Sequence, residues 1–327
     1  MTRLTSPLVL ASCSFSLIVA IPAVHAAEDA YAWLTKINQA ARTLNYEGTF
    51  VYQSGAQLET MRILHRVQDG AVEERLVSLT GAAREVIRTE QEVRCYLPDQ
   101  KSIVVEHRRA NGKSFPAIVP DRLRELAENY AVELGRGGRV SGRPAQGITI
   151  MPRDDYRYGY HLWADRETGL LLQADVLSNK RAVLERFMFT DIRIGVDIPV
   201  EALAPQTAGA GMVWYRDSKD GMAQSAKPVW QAMRLPKGFK LSSSLTRTMP
   251  TRSGPTEHLV YTDGLATVSV FVEKREQGRS PATEGPTRMG ALYVLGKAAD
   301  QYQLTVVGEV PAKTVALIGS SIAPADR

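Results

Sequence analysis

Two basic groups hold the densest concentration of reactive side chains in this sequence: Arg84 with Arg88, and the run His107-Arg108-Arg109. A guanidinium plane matches two oxygens of a phosphate or carboxylate at once, so grouped arginines suit anion recognition at a pocket mouth. The same spacing also suits a solvated strand face, and the sequence leaves both readings open. Beyond the N-terminal region the histidines are His65, His107, His161 and His258. None pairs with another histidine or a cysteine at metal-ligand spacing, and HExxH is absent, so neither a metal nor a cofactor is expected. Asp154-Asp155 offers paired carboxylates, but MPRDDYRYG reads as a turn whose neighbouring side chains point apart. GRGGRVSG, residues 135–142, lacks the third glycine of GxGxxG and precedes a strand, not a helix. Gly112-Lys113-Ser114 resembles the end of a phosphate loop, but position 107 holds histidine where the first glycine would stand. GxSxG does not occur. No enzymatic activity is expected.

The chain has 327 residues, 44% hydrophobic and 23% charged, which is an ordinary globular balance. Its charge of +5 is the small difference between 40 basic and 35 acidic residues, with no basic arm, so nucleic acid is not an expected partner. Arg3 followed by LVLASCSFSLIVAIPAV reads as an export signal, with cleavage after Ala26. LASC, residues 10–13, resembles a lipoprotein cleavage box and is the alternative. Past residue 26 no stretch approaches the roughly 20 apolar residues of a membrane helix. Cys95 is then the one remaining cysteine and reads as a small buried side chain, not a reactive thiol.

The elements that would position these residues are mostly strands. Residues 28–44 place Ala30, Trp33, Leu34, Ile37, Ala41 and Leu44 on one helix face. Strands are predicted at 46–53, 58–67, 72–79, 84–89, 92–97 and 102–107, then a helix from Pro120 to about Tyr130. In YRYGYHLWAD, Tyr156, Tyr158, Tyr160 and Leu162 alternate with Arg157 and His161, which places the arginine on the opposite face. LLLQADVL and AVLERFMFTDIRIG continue as strands, and several strands are apolar on both faces. Such a sheet must be covered twice, by helices on one side and by packing or a cavity on the other. Residues 205–227 lose the strand rhythm and read as a linker. A unit over 228–327 follows, with a hairpin turning at Asp263-Gly264, a loop over 276–287, a strand at YQLTVVGEV and a helix from Pro311.

LNYEGTFVY, GAAREVIR, RYGYHLWADRETGLLLQADVL and LERFMFTDIRIG resemble the N-terminal domain of the RseB/MucB family of periplasmic sigma-E regulators. LPKGFKLSSS, LVYTDGLATVSVFVE and LTVVGEVP resemble that family's C-terminal domain. The resemblance implies an α+β, mainly antiparallel fold: an unclosed β-barrel with covering helices, similar to lipoprotein carriers, over 27–204, and a smaller α+β domain over 228–327. It implies binding to the periplasmic part of a membrane-spanning anti-sigma factor of RseA/MucA type, protection of that factor from proteolysis, and release by an acylated lipid such as lipopolysaccharide. On this reading the expected ligand-binding residues are Tyr46, Phe50 and Tyr52 of the first strand, with Arg84, Arg88 and Arg108. A one-residue slip in register would reverse which aromatics face the interior. A lipid or lipoprotein carrier and a secreted hydrolase are the rival readings, and homo-oligomerisation is left open.

Overall fold

The computed structural model describes residues 23–107, 123–207, 209–216, 222–224, 227–248, 254–275 and 285–325. Most of the export signal, Arg108 and the Gly112-Lys113-Ser114 motif lie outside those residues. The first helix, α1 (Ala23–Thr43), is followed by β1 (Tyr46–Ser54), β2 (Gln57–Gln68), β3 (Ala71–Ser78), β4 (Glu85–Arg88), β5 (Glu92–Leu97) and β6 (Ser102–His107). These match the strands expected from aromatic and β-branched patterning to within two residues at each end.

After the short helix α2 (Leu123–Leu126) come β7 (Tyr130–Val140), β8 (Arg143–Pro152), β9 (Gly159–Asp165), β10 (Leu171–Leu177) and β11 (Val183–Ile194). The predicted helix over 120–130 is therefore cut short. Tyr130 opens a strand instead, because its side chain is fully buried and its backbone pairs with Pro152. GRGGRVSG lies inside β7 and its hairpin with β8, where Trp163 covers it: a Cβ on Gly138 would stand 2.7 Å from that ring. Within 205–227, read above as a linker, residues β12 (Val213–Arg216) pair in parallel with β6 at the sheet edge.

The resulting sheet has 12 strands in the order β12-β6-β5-β4-β3-β2-β1-β11-β10-β9-β8-β7. Its two edges do not meet, so the barrel is unclosed. Helix α1 covers one face: Ala30, Leu34, Ile37 and Ala40 share a buried cluster with Tyr46, Phe50, Ile63, Ile148, Leu162 and Phe189. Lys36 ties the helix down by donating to the carbonyls of Arg166 at 2.8 Å and Glu167 at 3.0 Å.

A second sheet of seven strands follows: β13 (Met222–Gln224), β15 (Lys240–Thr248), β16 (Pro255–Thr262), β17 (Thr267–Lys274), β20 (Tyr302–Gly308), β19 (Leu292–Ala299) and β18 (Gly285–Met289), in that spatial order. Residues 285–287, read above as loop, are the start of β18. Strand β14 (Trp230–Ala232) pairs apart from it with β21 (Ile322–Pro324). Helix α3 (Ala312–Ser320), entered through Pro311, packs Val315 and Ile318 onto this sheet with Val268, Val270 and Val306.

Gly48 explains the glycine in the aromatic first strand. The register between β1 and β11 shifts at Thr49/Phe50, and a Cβ on Gly48 would stand 2.4 Å from the Asp191 carbonyl oxygen and 3.1 Å from the Phe189 ring. Neither neighbour is a free side-chain end. Gly48→Ala is expected to force a backbone shift and lower stability by about 1–3 kcal/mol, read from the urea midpoint. An unchanged midpoint would mean the bulge relaxes without cost.

Candidate functional site at the junction of the two sheets

Tyr46 and Phe50 of β1 belong to the buried cluster that includes α1, and there they are ordinary, filled core. Tyr46 stacks on His65 with ring centroids 4.4 Å apart. Phe50 meets Phe187 at 5.0 Å and Phe189 at 5.9 Å, edge to face. Such aromatic pairs add to the burial energy itself. Tyr52 differs: its hydroxyl donates to Glu185 Oε2 at 2.7 Å, and burial, reinforced by that carboxylate, raises its pKa.

Arg88 of β4 and Arg84, the residue before that strand, are held by carboxylates. Arg84 donates to Glu59 Oε2 at 3.0 Å, and Arg88 is ion-paired with the fully buried Glu74, whose other oxygen meets His65 Nδ1 at 3.0 Å. Both guanidinium groups thus have carboxylate partners within the chain. Cys95 is half-buried, and burial pushes its thiol pKa up, which disfavours a nucleophilic thiolate. His161 lies against Trp163, its centroid 4.8 Å away, and burial pulls its pKa down. Among the described residues no group of three or more histidine, cysteine or acidic side chains could hold a metal ion.

What the structure does gather is a polar junction between the two sheets. Arg157 has no exposed surface and forms an ion pair with Asp263, which is equally buried. The same guanidinium binds Asp154 and the Lys237 carbonyl, and lies 5.1 Å from the centre of the Phe239 ring. Asp263 in turn accepts the Tyr130 hydroxyl at 2.9 Å and the backbone N–H groups of Leu265 at 2.9 Å and Ala266 at 2.8 Å. One carboxylate therefore caps the β16–β17 turn and receives two groups from the first sheet. Burial opposes the charge on Arg157, yet Asp263 and Asp154 hold its pKa above the ordinary value. Burial and then Asp263 raise that of Tyr130.

A second anchor lies at the β18–β19 turn. Glu185 of β11 accepts the Tyr52 hydroxyl, the Ser54 hydroxyl at 3.0 Å and the Ala291 backbone N–H at 2.8 Å. Lys313 adds an exposed pair to Asp155 at 2.8 Å, and the Thr314 hydroxyl donates to the Tyr156 carbonyl at 2.6 Å. Both members of the Asp154-Asp155 pair are thereby occupied by structural contacts.

Strand patterning does not reach Arg157 because residues 153–157 form a bend and β9 begins only at Gly159, so strand alternation does not apply there. The usable signal was an arginine among three tyrosines in YRYGY, since an arginine that leaves water needs both carboxylates and ring faces. The sequence marks Asp263 as a turn residue, and an aspartate at that position can also cap the turn with one oxygen and bind a cation with the other.

Between the two anchors lies an open cleft of about 320 Å³, lined from the first sheet by Tyr160 and from the second unit by Leu265, Thr267, Ser269, Leu292, Val307 and Glu309. Glu309 stands exposed at the mouth of this cleft. Partial desolvation by the cleft walls, with Glu185 nearby, pushes its carboxyl pKa up.

The sequence matches the family models described as the MucB/RseB N-terminal domain over residues 29–207 and the MucB/RseB C-terminal domain over residues 224–323. It is 37% identical over 315 residues, 94% of each chain, to the sigma factor AlgU regulatory protein MucB of Pseudomonas aeruginosa. It is 29% identical over 298 residues, 89% of each chain, to the sigma-E factor regulatory protein RseB of Escherichia coli K12. The crystal structure of MucB in complex with MucA(peri) is similar at a TM-score of 0.69 and 35% identity, covering 91% of this chain and 100% of that one. That of MucB by itself gives 0.66 and 35%, covering 91% and 98%.

Proposed function

This chain belongs to the MucB/RseB family, and we propose from that premise that it is a periplasmic regulator of an envelope-stress sigma factor. It would act by binding the periplasmic part of a MucA-type, membrane-spanning anti-sigma factor, and not as an enzyme. The observation that carries the reading is the likeness, over 91% of this chain, to MucB solved in complex with MucA(peri). The two units, 27–204 and 228–327 joined through 205–227, would present that partner with one composite surface, their relation set by the Arg157–Asp263 and Glu185–Ala291 anchors.

Binding would shield the anti-sigma factor from its first regulatory cleavage, and an acylated lipid such as lipopolysaccharide would release it. For a lipid to act so, it must bind the free protein better than the complex, and linkage makes the partner weaken lipid binding equally. Each acyl methylene buried contributes roughly 0.8 kcal/mol, so about ten give on the order of 8 kcal/mol before the cost of association. Tyr46 and Phe50 would meet such a chain only if the packed interior opened. Arg84, Arg88 and Arg108 would read its head-group phosphates, Arg84 and Arg88 only by exchanging their present carboxylates.

A fluorescein-labelled MucA-type periplasmic segment titrated with this protein tests the reading by anisotropy. Saturable binding is expected, together with slower digestion of the bound segment by a site-specific protease. Absence of saturable binding would overturn the partner assignment. Lipid A titrated into the preformed complex is expected to release the label. Equal lipid affinity for free and complexed protein would remove lipid as the signal.

A further inference from the structure

The cavity between the two anchors carries unused chemistry of one kind. Tyr160 is 7% exposed, lines the cavity, and its hydroxyl has no hydrogen-bond partner among the described residues. Glu309, on the same wall, makes neither an ion pair nor a hydrogen bond among them. The cations in this neighbourhood are committed elsewhere. Arg157 is held by Asp154 and Asp263, while Arg288 donates to the Gly290 carbonyl at 2.8 Å and lies over the Tyr293 ring at 5.4 Å. An exposed carboxylate with no partner at the mouth of a cleft is available to an incoming cation, which it orients as much as it holds. The remaining lining is mixed: Leu265, Leu292 and Val307 are apolar, while Thr267 and Ser269 add hydroxyls. About 320 Å³ with an apolar strip of Leu265, Leu292 and Val307, hydroxyls beside it and one carboxylate at the mouth fits an aliphatic stem that ends in a positive charge.

We infer that this cleft receives one long basic side chain, lysine or arginine, of the partner segment, with the stem against Leu265 and Val307 and the charge on Glu309 and Tyr160. The inference rests on the partner reading above and deepens it. Leu265 is two residues from Asp263, and Leu292 follows Ala291, so both anchors flank the cleft directly. A side chain seated there touches both sheets at once, and the partner then binds only the arrangement in which the anchors are closed.

The test pairs the labelled MucA-type periplasmic segment with Glu309→Gln and Tyr160→Phe in the full chain. Glu309→Gln is isosteric at a water-reached, unpaired position, so its melting curve should overlay that of the parent. It is expected to weaken the segment about tenfold, and Tyr160→Phe about threefold. Replacing the segment's lysines and arginines by methionine one at a time should identify one position whose loss is not additive with Glu309→Gln. Binding within about twofold of the parent for Glu309→Gln, or full additivity at every basic position, would overturn the inference. N-acetyl-arginine amide, followed by NMR shifts around Glu309, separates the two claims. If it binds the parent but not Glu309→Gln while the segment does not bind at all, the partner reading fails and the cleft's preference for a basic side chain stands. If it leaves the signals around Glu309 unmoved, the preference itself is wrong.

Discussion

Replacing Asp263 by alanine is expected to cost about 3–5 kcal/mol, because it strands a fully buried guanidinium rather than merely deleting a contact. Arg157 and Asp263 have no exposed surface, and the same carboxylate also satisfies Tyr130 and two backbone N–H groups of the β16–β17 turn. An intact buried pair is often worth little over an apolar replacement, since desolvation offsets most of the attraction. Removing one member is different, because the other charge stays behind without water. Arg157 retains only Asp154, which is partly exposed, and the Lys237 carbonyl. Urea unfolding of the full chain, followed by circular dichroism, measures the loss. The junction should loosen in parallel, so limited proteolysis between residues 205 and 227 is expected to quicken. A loss under about 1 kcal/mol would mean that water reaches Arg157 in solution and that the junction is held elsewhere.

The sheets were readable in the sequence because strand periodicity is local. Strands β1 to β6 fall where aromatic and β-branched runs place them, and Asp263-Gly264 marks its hairpin. Departures occur where a contact distant in sequence decides. Tyr130 leaves the predicted helix because it packs against Asp263, 133 residues away. Arg157 is buried at the junction, which strand alternation does not foretell, because the second sheet supplies its carboxylate, 106 residues away. Strand β12 forms in a stretch of weak pattern because β6 offers it a free edge. The candidate ligand residues follow the same rule. That Tyr46, Phe50 and Tyr52 share a face is local information. Whether that face is packed or empty depends on α1, β2 and β11, and no spacing within β1 encodes it. The carboxylates facing Arg84 and Arg88 lie on β2 and β3, so their pairing was equally out of reach.

Phe50→Ala is the second change with a large expected effect, about 3–5 kcal/mol, and its companions decide what the first strand faces. Phe50 is 2% exposed and held edge-to-face by Phe187 and Phe189, so truncation leaves a hole lined by rings that cannot collapse into it. Phe50→Trp asks the converse question. In a filled interior the larger ring must push its neighbours off their rotamers, at about 1–3 kcal/mol. Tyr52→Phe, two residues along the same face, should cost only about 1.5 kcal/mol, the loss of one hydrogen bond to a carboxylate that keeps Ser54 and Ala291. The three variants share one strand, so differences in local propensity cancel and packing alone sets the ranking. Urea midpoints at fixed slope give it directly. If Phe50→Trp were instead as stable as the parent, unfilled space would exist beside Phe50, and an acyl chain could enter without moving α1. If it is destabilised as expected, any lipid that reaches Tyr46 and Phe50 must first displace packed side chains. Lipid binding would then be coupled to an opening of the sheet, and a partner that holds both sheets in the closed arrangement would oppose it.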